Sequence, residues 1–244
     1  DPGSIAFGSW NNNQHAGDPN NPGVGFSANS PGHRVFAMVS YRKEYFNFGA
    51  TTLSLFWEGR TIGNASYTFS GDINGDGGTS NDLIYIHRNK TEMNFQTYTS
   101  GGKTFTGAEQ ADAWDKYIKQ DPYLSENRGK YAERGAIFLP MVFRMDFSIV
   151  QEFFTNIFDK RNTLQLRADI INFGNLLNSD WGVSQRLVNA QPLLAVSGAP
   201  ADAAGKVQYR LRQVNGQWMN KSYEQTAFES DVWRIQFSIR YIFN

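Results

Sequence analysis

From Trp233 to Phe243 the chain alternates in a way that few folds tolerate. Trp233, Ile235, Phe237, Ile239, Tyr241 and Phe243 fall on one face of an extended strand. Arg234, Gln236, Ser238 and Arg240 fall on the other, interrupted only by Ile242. A period of two identifies a β-strand with one face withdrawn from water. Alternation by itself does not name the solvent, because a soluble β-sandwich also buries one face. Length and ends are more selective. At about 3.3 Å per residue and a tilt of about 40°, this stretch covers roughly the 25 Å apolar band of an outer-membrane barrel. Soluble strands average about 5–6 residues. Trp233 at one end and Tyr241 and Phe243 at the other fall where aromatic girdles meet the two lipid interfaces. The expectation is a membrane-spanning strand of an outer-membrane β-barrel.

Four further segments share the pattern, which predicts five spanning strands over 34–45, 49–58, 141–153, 162–173 and 231–243. Val35, Ala37, Val39 and Tyr41 alternate with Phe36, Met38, Ser40 and Arg42, and Leu53, Leu55 and Trp57 with Thr52, Ser54 and Phe56. Phe143, Met145, Phe147 and Ile149 alternate with Val142, Arg144, Asp146 and Ser148. Leu164, Leu166, Ala168 and Ile170 alternate with Thr163, Gln165, Arg167 and Asp169. Arg144, Asp146, Arg167, Asp169, Arg234 and Arg240 are therefore predicted to face a polar lumen, the first four close together on adjacent strands. Links 45–49 and 155–162 are short, whereas 1–33, 59–140 and 174–230 are long. Short periplasmic turns and long extracellular loops have this parity, and soluble domains seldom hold loops so long. Further strands within Gly63–Ser70, Leu83–His87, Val183–Val188 and Val207–Val214 are read as extensions above the membrane. Five strands cannot close a barrel, which in single-chain bacterial proteins has an even number of about eight or more. An open edge in lipid leaves backbone groups unpaired, so the missing strands are expected outside this sequence. The start, Asp1-Pro2-Gly3-Ser4, carries no initiator Met and no secretory leader, which suggests a mature product or a fragment.

Composition narrows the remaining classes. The 23 basic and 23 acidic side chains cancel, so no charge excess points to nucleic acid. There is no cysteine, which removes disulfides, Cys-ligated metals and thiol catalysis. No apolar run approaches the roughly 20 residues of a transmembrane helix. A mean hydropathy of -0.49 is compatible with a barrel whose strands turn one face to a polar lumen.

Chemistry-bearing motifs are sparse. In Asp72-x-Asn74-x-Asp76-Gly77, alternate oxygen donors at a glycine turn can converge on Ca²⁺, with Asp82 completing the shell. Leu83 stands where an EF-hand wants Glu, and no helices flank the loop. The other reading is a turn whose Asp and Asn side chains cap their own backbone. His15, His33 and His87 are isolated and lack metal-ligand spacing. Glu133 with Asp121 is a conceivable carboxylate pair that nothing in the sequence brings together. No enzyme is expected. Ala108, Ala111, Trp114, Tyr117 and Ile118 recur at helical spacing over 107–120, with Asp121-Pro122 as the stop. A helix there packs its own loop or meets a partner. Trp10, Trp181 and Trp218 suit stacking on sugars or peptides, and suit loop packing equally.

Several stretches together carry a resemblance. Ser70-Gly71-Asp72-Ile73-Asn74-Gly75-Asp76-Gly77, then Asn81-Asp82-Leu83-Ile84-Tyr85-Ile86, resembles TonB-dependent outer-membrane receptors of Bacteroidota, most nearly the Oar-like group. Arg128-Gly129-Lys130-Tyr131-Ala132-Glu133-Arg134 and Ile171-Asn172-Phe173-Gly174-Asn175-Leu176-Leu177-Asn178 extend it. Tyr241-Ile242-Phe243 is similar to a barrel-assembly signal, although Asn244 follows the terminal aromatic. The resemblance covers roughly residues 34–244. It implies an all-β fold, the C-terminal portion of a transmembrane antiparallel barrel of 22 strands with a plug. It also implies a bacterial outer-membrane location among lipid and lipopolysaccharide, and import of a peptide, glycan or chelate. Energy would come from the TonB complex through a region upstream of this sequence. SusC-like importers, which pair with a surface lipoprotein lid, are relatives that the Asn81–Tyr85 stretch matches less well. A structural or accessory barrel subunit without transport, and a soluble β-sandwich binding module, stand as alternatives.

Overall fold

The computed structural model describes residues 8, 12–30, 32–158, 160–196 and 201–243, so Trp10 and Asn244 lie outside the described residues. The chain is mostly β and divides into two compact units. One, the sheet unit, comprises Pro31–Ile62, Leu139–Arg186 and Gln225–Asn244. The other, the loop unit, comprises the described residues of Asp1–Ser30, Gly63–Phe138 and Leu187–Glu224. Among the described residues no helix is long and apolar enough to cross a membrane.

Among the described residues the sheet unit holds five long strands: β1 (Arg34–Tyr45), β2 (Gly49–Arg60), β3 (Val142–Ile157), β4 (Lys160–Ile171) and β5 (Arg234–Phe243). They form one open sheet in sequence order. Every neighbouring pair is antiparallel. β1 and β5 are its two edges, and no closed barrel is formed. Tight turns join β1 to β2 and β3 to β4 at the same end. Tyr45 pairs with Gly49, and the loop between them places Phe46 and Asn47 at φ 54° and 56°. Ile157 pairs with Lys160, with Phe158 at φ 52°. Positive φ in such short loops lets the turn follow the right-handed strand twist.

Several strand ends depart from expectation: β2 runs to Arg60 instead of 58, β3 begins at Val142 instead of 141 and β4 begins at Lys160 instead of 162, and three further shifts have a visible cause. β3 runs to Ile157 instead of 153, because Phe154, Thr155 and Asn156 pair with Thr163, Asn162 and Arg161. The polar Thr and Asn read as a loop, yet cross-strand pairing keeps them in the ladder. β4 ends at Ile171, because Asn172 turns left-handed (φ 53°) and opens the short helix Phe173–Leu177. β5 begins at Arg234, not 231. Asp231 instead accepts the Phe228 and Ser184 N–H groups and closes a 3-10 turn over Glu229–Asp231. Trp233 therefore precedes the strand, its N–H donated to Asn175 Oδ1 at 3.2 Å.

The loop unit has its own core. Tyr67, Ile84, Ile86, Trp114, Tyr117, Ile118, Leu124, Ile137, Leu193 and Leu211 are fully buried together. Helix α1 (Gly107–Gln120) is set by a capping box in which Thr106 and Glu109 satisfy each other's backbone N–H. Ala111, Trp114, Tyr117 and Ile118 are buried, as their spacing predicts, whereas Ala108, assigned to the same stripe, is exposed in the first turn. Asp121 ends α1 and caps α2 (Pro122–Glu126). The segments read as strand extensions do not prolong the sheet. Gly63–Ser70 and Val207–Val214 yield two- and three-residue strands, and Leu83–His87 makes isolated bridges. Tyr67, Phe69, Leu83, Ile84, Ile86, Tyr209 and Leu211 are drawn into this separate core, whereas Val207 stays exposed.

His87 is buried in that core. Trp114 Nε1–H donates to its Nδ1 at 3.1 Å, which puts the imidazole proton on Nε2, facing the Tyr209 hydroxyl at 2.5 Å. Burial, with smaller contributions from Lys206 and Arg128, lowers its pKa to about 4. An unfolded His87 protonates near pH 6.5, whereas the folded one stays neutral down to about 4. The loop unit is therefore expected to lose stability as pH falls across that window and to be insensitive above it. His87→Phe should flatten the acid limb of a melting-temperature profile between pH 7 and 4; an unchanged profile would contradict this origin.

Candidate functional site

The register of the five strands sorts their side chains into two continuous faces. On one face the rows Val39–Leu55–Phe147 and Tyr41–Leu53–Ile149 cross the first three strands. Ile149–Ala168–Phe237 and Phe153–Leu164–Tyr241 continue across the last three. Ile235, Ile239 and Phe243 share it. Gly59 lies between Val35 and Phe143, where a Cβ would come within 2.6 Å of the Phe143 ring. That ring stacks on Trp57 at 5.8 Å instead. This apolar face is uncovered: Phe237 is 77%, Ile239 75%, Tyr41 64% and Val39 62% exposed. An isolated soluble domain rarely shows an apolar patch of more than a few hundred Å².

The opposite face carries all six ionised residues that the pattern assigned to it: Arg144, Asp146, Arg167, Asp169, Arg234 and Arg240. They do not form a single cluster. Arg167 Nε bonds Asp169 along its own strand at 2.8–2.9 Å, and Asp146 accepts the Asn172 N–H at 2.7 Å. Arg144 turns away to Ser184, the Gly182 carbonyl and Asp231, because the Asp231 turn offers a buried carboxylate. Arg234 pairs with Glu229. Asp146, Arg167 and Asp169 line one groove of about 650 Å³ with Ser54, Ser148 and Gln236. The groove mixes these polar groups with Met38, Phe56 and Phe147, and Ser148 hydrogen-bonds Asp169.

In the loop unit, the aspartate run makes a tight turn. Asp72 accepts the N–H groups of Gly75 and Gly77 at 2.6 and 2.9 Å. Asn74 Oδ1 accepts that of Asp76, and Asp76 Oδ1 that of Gly78. Gly75 and Gly77 sit at φ 83° and 89°, a conformation glycine adopts freely. These bonds are the self-capping turn. Asp82 returns across it, Oδ2 accepting the Ile73 N–H at 3.0 Å. The surprise is His15, fully buried and far away in sequence. Its backbone bonds Asn81 and Leu83, and its Nε2 lies 2.9 Å from Asp76 Oδ2. No spacing rule marks it, because a long-range backbone pairing brings it there. Among the described residues, the donor atoms of His15, Asp76 and Asp82 lie within 4.8 Å of one another.

Other candidates resolve as packing. Asp121 is committed to Tyr67, Ser222 and Leu124, and Glu133 is exposed, so they make no acid–base pair. Trp218 packs edge-on to Phe105 at 5.3 Å. Trp181 is half exposed beside a cleft shared with Trp57 and Phe143. No protein-family model, curated protein or solved structure matches this chain.

Proposed function

We propose that the chain forms part of the wall of a bacterial outer-membrane β-barrel, and that the complete barrel is a TonB-dependent transporter or receptor importing an unidentified ligand. The observation that carries the membrane reading is the uncovered apolar face, continuous through five strands and backed by a charged face. Lipid is the solvent that suits the first, and a water-filled or plugged lumen suits the second. Strand length supports the same reading. β1, β2 and β4 have 12 residues each and β5 has 10, enough at a tilt to cross about 25 Å of hydrocarbon. The two open edges then pair with further strands, since an unpaired edge in lipid costs several kcal/mol per backbone group. Transport is drawn from the resemblance of the Ser70–Gly77 and Asn81–Ile86 stretches. On this reading the TonB complex engages a region upstream of the sequence, and the outer surface meets lipopolysaccharide.

The absence of cysteine makes a direct test available. Single substitutions Ile235→Cys through Arg240→Cys, labelled with an environment-sensitive fluorophore in membrane-embedded protein, should report alternate surroundings. Positions 235, 237 and 239 should read as hydrocarbon, and 236, 238 and 240 as water or protein. Six water-like positions, or recovery of the protein in the aqueous fraction without detergent, would sink the barrel reading.

A further inference from the structure

We propose that Asp72, Asn74, Asp76 and Asp82 bind one hard divalent cation of calcium's class, with His15 as the group that orients Asp76. This site stands independently of the membrane reading. The carboxylates of Asp76 and Asp82 converge beside His15, with Asp72 in the same turn, and among the described residues no lysine or arginine reaches ion-pairing distance of them. Backbone N–H groups take up much of their hydrogen-bonding capacity, but not all. Asp82 is 3% exposed, and its Oδ1 is buried with no hydrogen-bond partner. The adjacent Asn81, 1% exposed, has the same orphaned Oδ1. A buried anion without a countercharge is costly, and so is a buried acceptor without a donor. A cation among these oxygens removes both penalties.

The tautomer of His15 decides the class of cation. The Gly17 N–H points at Nδ1 from 3.2 Å, so Nδ1 is the acceptor and the ring proton sits on Nε2. That proton faces Asp76 Oδ2 at 2.9 Å, beside the Asn81 amide, whose Nδ2 lies 3.1 Å from Nε2 and donates to the same Asp76 oxygen at 3.2 Å. An imidazole that donates to a carboxylate is not itself a ligand; it fixes that carboxylate for the metal. With nitrogen removed from the set and no cysteine in the chain, the donors are all oxygen. Ca²⁺ accepts irregular sets of about 6–8 oxygens, whereas Mg²⁺ demands a near-octahedral shell that is mostly water. The bound ion would also tie the segment around His15 to the Asp72–Asp82 loop, which are joined through the backbone bonds of His15 to Asn81 and Leu83.

The test uses the full chain in detergent, stripped with chelator and titrated with CaCl₂ by calorimetry and thermal melting. One binding site and a raised melting temperature, reversed by chelator, are expected. Asp82→Asn keeps the acceptor for Ile73 and removes one charge. It should weaken calcium at least tenfold while the chelator-treated protein melts no lower than wild type. Should that variant fold poorly, Asn74→Ala at the exposed turn should likewise weaken calcium, and the chelator-treated melt then reads separately the cost of the lost Asp76 N–H cap. No heat on titration, or a wild-type melt unaffected by excess chelator, overturns the site. Tighter binding of Zn²⁺ than of Ca²⁺ overturns the calcium assignment and makes His15 a ligand.

Discussion

On the proposed barrel reading, Ile239→Arg is expected to destabilise the protein in a bilayer by about 2–4 kcal/mol, the cost of placing a guanidinium near the midplane. Ile239 lies in the middle of β5, pairs with Leu166 and is 75% exposed, so a substituted side chain meets the surrounding solvent and not a packed core. In water the same change would cost little. Its immediate neighbour, Ser238, belongs to the charged face and pairs with Arg167. Ser238→Arg places like charges across the ladder, a penalty of about 1 kcal/mol or less. The contrast between adjacent residues therefore reads the solvent on each side of the sheet. Reversible urea unfolding in lipid vesicles measures both. Equal costs at 238 and 239 would contradict the assigned faces, whatever their absolute size.

How much of this was visible in the sequence follows from where each feature stores its information. The five strands were legible because their pattern is local and repeats every two residues; the faces assigned to Arg144, Asp169 and Ile239 follow from parity alone. Strand ends were less legible, because partners decide them. Thr155 and Asn156 look like turn residues until they meet Asn162 and Arg161, and Asp231 looks like a strand residue until it accepts the Ser184 N–H. The loop unit was hardly legible. Its core draws Tyr67, Ile84, Trp114, Leu193 and Leu211 from separate stretches with no shared period, and only α1 announced itself, through Thr106, Glu109 and the Ala111–Trp114–Ile118 stripe. The aspartate loop shows the same division. Asp72, Asn74 and Asp76 declare themselves by spacing, whereas His15 reaches them only through a pairing that the fold creates.

Asp121→Ala should have the largest effect in the loop unit, about 3–5 kcal/mol. Asp121 is fully buried, and both oxygens are used. Oδ1 accepts the Leu124 N–H at 2.8 Å, capping α2. Oδ2 accepts the Tyr67 hydroxyl at 2.7 Å and the Ser222 hydroxyl at 2.5 Å. Loss of the cap is worth about 1 kcal/mol. Each donor then left buried without a partner costs about 1–3 kcal/mol. The contributions share one carboxylate and do not add fully, which sets the upper bound below their sum. Asp121→Asn separates the effects. Its carbonyl oxygen can keep the Leu124 cap, and the Tyr67 and Ser222 hydroxyls can rotate to accept from the amide, so a loss of about 1–2 kcal/mol is expected. Tyr67→Phe, which removes one donor together with its demand, should be the mildest of the three. Hydrogen exchange across Gly107–Glu126 follows the local opening that each variant causes. If the alanine variant protects α1 and α2 as well as wild type does, Asp121 is not what joins the two helices to Tyr67 and Ser222.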